Sequence, residues 1–141
     1  MADVGFTHVA LPVTDPAASV AFYAEFAGMD VVHRRGDPGN GEVVWISDLT
    51  RPFVVVLLQV PEVTDPLGGF AHLGVACSSR DEVDRLCEVA RESGRLRLGP
   101  TDSGPPVGYW AFVSDPDGHN LELSFGQDVG LTVVQARTDE L

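Results

Sequence analysis

The sequence predicts an α+β protein built from two successive βαβββ units, and three observations carry that reading. The pattern of apolar and polar residues gives the order strand, helix, strand, strand, strand twice over. Short stretches of the two halves match at a nearly constant offset, and a histidine holds the same place in the first strand of each half.

The first unit opens with the alternating run Phe6 to Val13, read as a strand that ends at Thr14-Asp-Pro. Asp15 can cap a helix whose first position is Pro16, a residue that lacks only an amide the helix would leave unbonded anyway. The helix runs from Ala17 to Ala27. Val20, Tyr23 and Ala27 recur at helical spacing, Phe22 and Phe26 widen the apolar stripe, and Gly28 supplies a left-handed stop. Strands follow at about 30–35, 42–47 and 53–60, separated by Gly-Asp-Pro-Gly-Asn-Gly and Asp-Leu-Thr-Arg-Pro.

The second unit begins with a strand from Phe70 through Cys77. Ser79-Arg-Asp-Glu has the spacing of a capping box and starts a helix on which Val83, Leu86, Cys87, Ala90 and Gly94 share one face. A weak strand is expected near 95–98, and the Gly- and Pro-rich stretch 99–108 reads as a loop that either connects strands or covers a site. Strands at 109–114 and 120–125 flank Asp115-Pro-Asp-Gly-His, a sequence suited to a tight hairpin turn. The tail from Gln127 carries Leu131, Val133 and Val134, apolar enough to dock, before a polar end expected to fray.

Thr7-His-Val-Ala-Leu aligns with Ala71-His-Leu-Gly-Val at an offset of 64, and Val44-Trp-Ile-Ser-Asp with Ala111-Phe-Val-Ser-Asp at 67. Duplication of one unit is implied, and a pseudo-two-fold axis would set His8 beside His72.

The chain has 141 residues, 44% of them hydrophobic, enough for one core and too few for two independent domains. Its net charge of -12, with no lysine and nine scattered arginines, excludes a basic nucleic-acid or anionic-membrane footprint. Cys77 and Cys87 lack metal or redox spacing and read as buried reduced thiols. The longest apolar run, 53–60, is too short to span a bilayer, so a cytoplasmic protein is the expectation.

The candidate chemistry lies in His8, His72 and Glu122, two imidazoles and a carboxylate of the kind that bind a divalent ion once the fold assembles them. Glu122, between Leu121 and Leu123, is costly to bury without a partner, and a cation would be one. Trp45, Trp110 and Phe112 are expected to line a ligand pocket, and Tyr109 to act as an acid or base near it. His33 and His119 are expected to be exposed and outside the site.

The strand histidines, Ala21-Phe-Tyr, and Asp115-Pro-Asp-Gly-His-Asn-Leu-Glu together resemble the vicinal oxygen chelate superfamily, which includes glyoxalase I, extradiol dioxygenases, fosfomycin-resistance enzymes and bleomycin-binding proteins. The resemblance covers about residues 4–126. It implies a single domain, with unit one at about 4–60, unit two at about 70–126 and a tail at 127–141. It also implies an open, curled mixed sheet around a central cleft, with the helices outside. His8, His72 and Glu122 would be the ligands of a divalent Fe, Mn, Ni or Zn ion. A fourth ligand, the second carboxylate of the glyoxalase and epimerase members, would fall among Val55, Val56, Leu57 and Leu58, where there is none. The ring-cleaving dioxygenase pattern is broken too, since Phe112 stands where that pattern has tyrosine. The function implied is a lyase, isomerase or dioxygenase acting on a small oxygen-chelating substrate, in a homodimer. The alternative is a metal-free protein that sequesters a ligand, as bleomycin-resistance members do.

Overall fold

The computed structural model describes residues 3–139. Its elements are β1 (His8–Val13), α1 (Pro16–Ala27), β2 (Asp30–Asp37), β3 (Asn40–Ser47), β4 (Val54–Gln59), β5 (Leu73–Ala76), α2 (Arg80–Glu92), β6 (Leu96–Asp102), β7 (Tyr109–Ser114), β8 (Asn120–Phe125) and α3 (Val129–Asp139). The strands form two four-stranded mixed sheets, ordered β1-β4-β3-β2 and β5-β8-β7-β6. In each, the first strand runs parallel to the fourth and the other pairs are antiparallel, so the two βαβββ units share one topology. The chain divides into two compact units. The first holds the residues up to Gly68 with Asp115–His119, and the second Gly69–Ser114 with the residues from Asn120 onward.

In the first unit, Asp15 accepts from the Ala17 and Ala18 amides, and Gly28, at φ 61°, closes α1 with bonds to the last-turn carbonyls. The helix lays Phe22, Tyr23 and Phe26 over one face of the sheet, where Leu11, Val44, Ile46, Val55 and Leu57 are buried. In the second unit α2 covers β6, β7 and β8 with Val83, Leu86, Cys87 and Ala90. Burial pushes the Cys87 thiol up to about 11, so it stays a neutral apolar side chain at physiological pH. Ser79 caps α2 as its spacing predicts, by accepting from the Glu82 amide. The Glu82 carboxylate does not turn back on the cap but takes a two-pronged bond from Arg85, at 2.9 and 2.6 Å.

Several elements differ from expectation. β5 starts after His72, because the carbonyls ahead of it serve side chains: Asn120 Nδ2 donates to Gly69 O and Ala71 O, and Phe70 O meets the His72 ring. β6 extends to Asp102, which leaves only 103–108 as loop, pinned by Ser103 N to Gly108 O and by Trp110 Nε1 to Ser103 Oγ. The tail forms α3, whose Val129, Leu131, Val133 and Val134 are 53–61% exposed. The expectation for the terminal residues 140–141 lies outside the described residues. No described helix is long and apolar enough to cross a membrane.

His119 is the clearest correction. It is 1% exposed, with Nε2 at 2.7 Å from Pro12 O and Nδ1 accepting from the Leu67 amide at 3.0 Å. A carbonyl can only accept and an amide only donate, so the ring is the neutral Nε2–H tautomer. The rest of the turn is held as firmly. Tyr23 donates to Asp115 Oδ2 at 2.9 Å, Asp115 Oδ1 accepts from the Asp117 and His119 amides, and Asp117 accepts from the amide and hydroxyl of Thr14.

Burial and then Asp115 push the Tyr23 pKa well above its ordinary value. The phenol of the folded chain therefore keeps its proton to higher pH than that of the unfolded chain. Its contribution to stability is whole below about pH 10 and declines above it, by at most about 1.4 kcal/mol per pH unit. Urea denaturation should show Tyr23→Phe to be about 1–3 kcal/mol less stable than wild type at neutral pH. The variant should also lose less stability than wild type as the pH rises past about 10.

Candidate functional site

Strand alternation sorts the side chains of each sheet between the helix-covered face and the opposite face. On the opposite face of the first sheet stand His8, Ala10, Trp45, Val54, Val56 and Leu58, around a cavity of about 710 Å³. Loop residues Arg51, Pro52 and Phe53 complete its wall. His8 Nδ1 lies 2.8 Å from the Thr7 hydroxyl, a contact that leaves Nε2 available. His33 is exposed, its ring edge-on to Trp45 at 4.9 Å between centroids.

The matching face of the second sheet holds the denser chemistry. Glu122 is 7% exposed, and His72 Nε2 lies 3.5 Å from its Oε2. Gln127 Nε2 donates to both carboxylate oxygens at 3.3 and 3.4 Å. His72 Nδ1 is 2.6 Å from Phe70 O, so Nδ1 carries a proton and Nε2 is the nitrogen turned to the carboxylate. Phe112 packs against the His72 ring at 4.6 Å, and Trp110 against Phe112 at 5.2 Å. Gly74 pairs with Glu122 across β5 and β8, and a Cβ there would meet Glu122 Oε2 at 3.2 Å. The missing side chain makes room for the carboxylate. Asn120 fixes the segment ahead of His72 and is itself oriented by Arg97, which donates to its Oδ1 at 3.1 Å.

The structure thus brings His72, Glu122, Trp110 and Phe112 to one face of the second unit, and places His8 and Trp45 on the corresponding face of the first. Among the described residues, no group of three or more His, Cys, Asp or Glu is gathered so as to hold a metal ion. Tyr109, expected to act as an acid or base beside the site, lies on the other face of its sheet. It donates to Asp84 on α2, and Arg80 stacks on its ring at 3.9 Å. The bond to Asp84 raises the phenol's pKa, so it holds its proton more tightly and is a weaker acid. Its alternation with Trp110 and Phe112 turns it toward the helix.

Strand register settles the missing carboxylate. Gly74 opposes Glu122 while Ala10 opposes Val56, and Phe112 opposes Glu122 while Trp45 opposes Val56. Val56 is therefore the first unit's counterpart of Glu122. No sequence pattern marked the parts played by Gln127, Asn120 and Arg97, and the glycine's place opposite an acid could have been found only from the offset that pairs Ala10 with Gly74.

The model of the Glyoxalase/Bleomycin resistance protein/Dioxygenase superfamily matches residues 5–123. The chain belongs to that superfamily. An uncharacterized protein of Pseudomonas aeruginosa is 39% identical over 128 residues, covering 88% of this chain and 90% of its own length. A putative lactoylglutathione lyase of Brassica oleracea is 32% identical over 126 residues, 84% of this chain, and the chain spans only 43% of that protein. Among solved structures, the trypanothione-dependent glyoxalase I of Leishmania major matches with TM-score 0.65 and 25% identity, covering 98% of this chain and 97% of that one. The fosfomycin resistance protein FosX of Listeria monocytogenes, complexed with Mn(II) and a dihydroxypropylphosphonic acid, matches with TM-score 0.65 and 20% identity over 86% and 92% of the two chains. Glyoxalase-like members of the superfamily are thus this chain's sequence relatives and its structural neighbours.

The ring assignments can be checked directly. Nitrogen-15 NMR of the metal-free protein above the histidine titration range should show His72 protonated at Nδ1 and His119 at Nε2. The same tautomer on both rings would contradict the hydrogen bonds described.

Proposed function

We propose that this superfamily member is a metal-dependent, glyoxalase-like enzyme of the lyase, isomerase or dioxygenase type, and that His8, His72 and Glu122 hold its divalent ion. The observation that carries the reading is the contact between His72 and Glu122. With Nδ1–H committed to Phe70 O, a neutral His72 turns a lone pair toward a buried carboxylate 3.5 Å away. Two such groups repel unless a proton or a cation lies between them. A ring fixed by a backbone carbonyl, a carboxylate steadied by Gln127 and a glycine that clears space are supports expected around metal ligands. When bound, a divalent ion supplies Lewis-acid polarisation of adjacent substrate oxygens. This chain's residues would bind and orient the ligands, while Trp110 and Phe112 exclude water from one side of the imidazole.

With Val56 where the first unit could carry a second carboxylate, the set is two histidines and one carboxylate, which leaves open positions for a chelating substrate. His8 is supplied by a first unit, of the same chain or of a second copy in a cytoplasmic homodimer. A second reading, metal-free sequestration of a ligand, draws support from the apolar cavity beside His8.

Elemental analysis after refilling with Fe(II), Mn(II), Ni(II) or Zn(II) should find about one equivalent per chain in wild type and none in a His8→Ala/Glu122→Ala double variant. No metal in either protein would favour sequestration. Mixing the single variants restores metal only if two copies exchange units, because only then does a mixed dimer contain an intact site. Gly74→Ala should lower metal affinity about 10–100-fold, by displacing the carboxylate with little loss of stability.

A further inference from the structure

The cavity of the first unit has a charge pattern opposite to that of the whole molecule. The chain carries -12 overall, yet among the described residues the cavity wall contains no aspartate or glutamate. Its walls are the Trp45 ring and the side chains of Val32, Phe53, Val54, Val56 and Leu58, and its ionisable groups are His8 and Arg51. Among the described residues the lining offers a cationic ligand no acid, whereas an anion meets Arg51 on the wall of an otherwise apolar space. At about 710 Å³ the cavity is the size of ordinary small-molecule sites.

The Arg51 loop is built rather than loose. Asp48 Oδ1 accepts from the amide and hydroxyl of Thr50 at 3.0 and 2.6 Å, and Ser47 Oγ accepts from the Leu49 amide at 2.9 Å. The Phe53 amide bonds back to Arg51 O at 2.7 Å. The Thr50 hydrogen bond first, and the nearby Arg51 charge more weakly, hold the Asp48 carboxyl below its ordinary range, and Arg51 lines the cavity wall together with Ser47 and Pro52.

From this we infer that the pocket takes a small carboxylic acid with a flat or branched hydrocarbon body: Arg51 pairs with the carboxylate, and Trp45, Val54, Val56 and Leu58 enclose the apolar part. This rests on the reading of the site as a substrate pocket and adds the class of substrate. It also gives Val56 a role, since an apolar wall there accepts hydrocarbon where a carboxylate would repel the acid.

The test is calorimetric titration of the full-length protein with 2-naphthylacetate and with its neutral amide, in metal-loaded and chelator-treated samples. The acid should bind about 10-fold more tightly than the amide in both samples. Arg51→Gln should remove that preference while leaving metal content and amide affinity unchanged, and Trp45→Ala should weaken both ligands. If the preference survives Arg51→Gln, or disappears with the metal, Arg51 is not the anion site and the inference is overturned. The metal reading would stand in that case, because elemental analysis tests it separately. Equal binding of acid and amide to wild type would overturn the inference as well.

Discussion

The hydrogen bond from Tyr23 to Asp115 is the contact on which the turn ahead of β8 depends. A phenol with no exposed surface reaches from α1 to a carboxylate 92 positions later, and that carboxylate organises a turn by accepting from the Asp117 and His119 amides. His119 and Asp117 then bind Pro12, Leu67 and Thr14. Buried polar groups are tolerated only when they are satisfied, and here each one named has a partner. The chain leaves this turn directly into Asn120 and Glu122, so the turn sets where β8 begins. Neighbouring residues divide the work: His119 serves the first unit, while Asn120 holds the Gly69 and Ala71 carbonyls of the second, next to His72.

Much of this was legible in the sequence, and the failures have a common cause. Helices and strands were readable because amphipathic period and cap chemistry are local, as with Asp15, Gly28 and Ser79. The matching places of His8 and His72 came from the internal repeat. Tyr109 was misplaced because alternation defines two faces but does not say which one a helix covers. His119 looked exposed because a turn sequence shows nothing of the distant carbonyl and amide that enclose it. Gln127 and Arg97 act over contacts that no periodicity encodes.

The two halves share topology and differ in chemistry at matched positions on the strands. His8 and His72 keep one kind of side chain, Trp45 and Phe112 keep an aromatic ring, and Val56 and Glu122 part company. The second unit concentrates charge and polar support. The first offers volume and apolar wall, with the cavity's Arg51 carried on a loop outside the sheet.

Gly74 bears on how such a difference can arise. Its absent Cβ would crowd the Glu122 carboxylate, whereas the matched position opposite Val56 is occupied by the methyl group of Ala10. A glutamate introduced at position 56 alone would meet that methyl, and a glycine introduced at position 10 alone would leave a gap beside valine. Gaining or losing an acid on this strand is therefore a coupled, two-residue change.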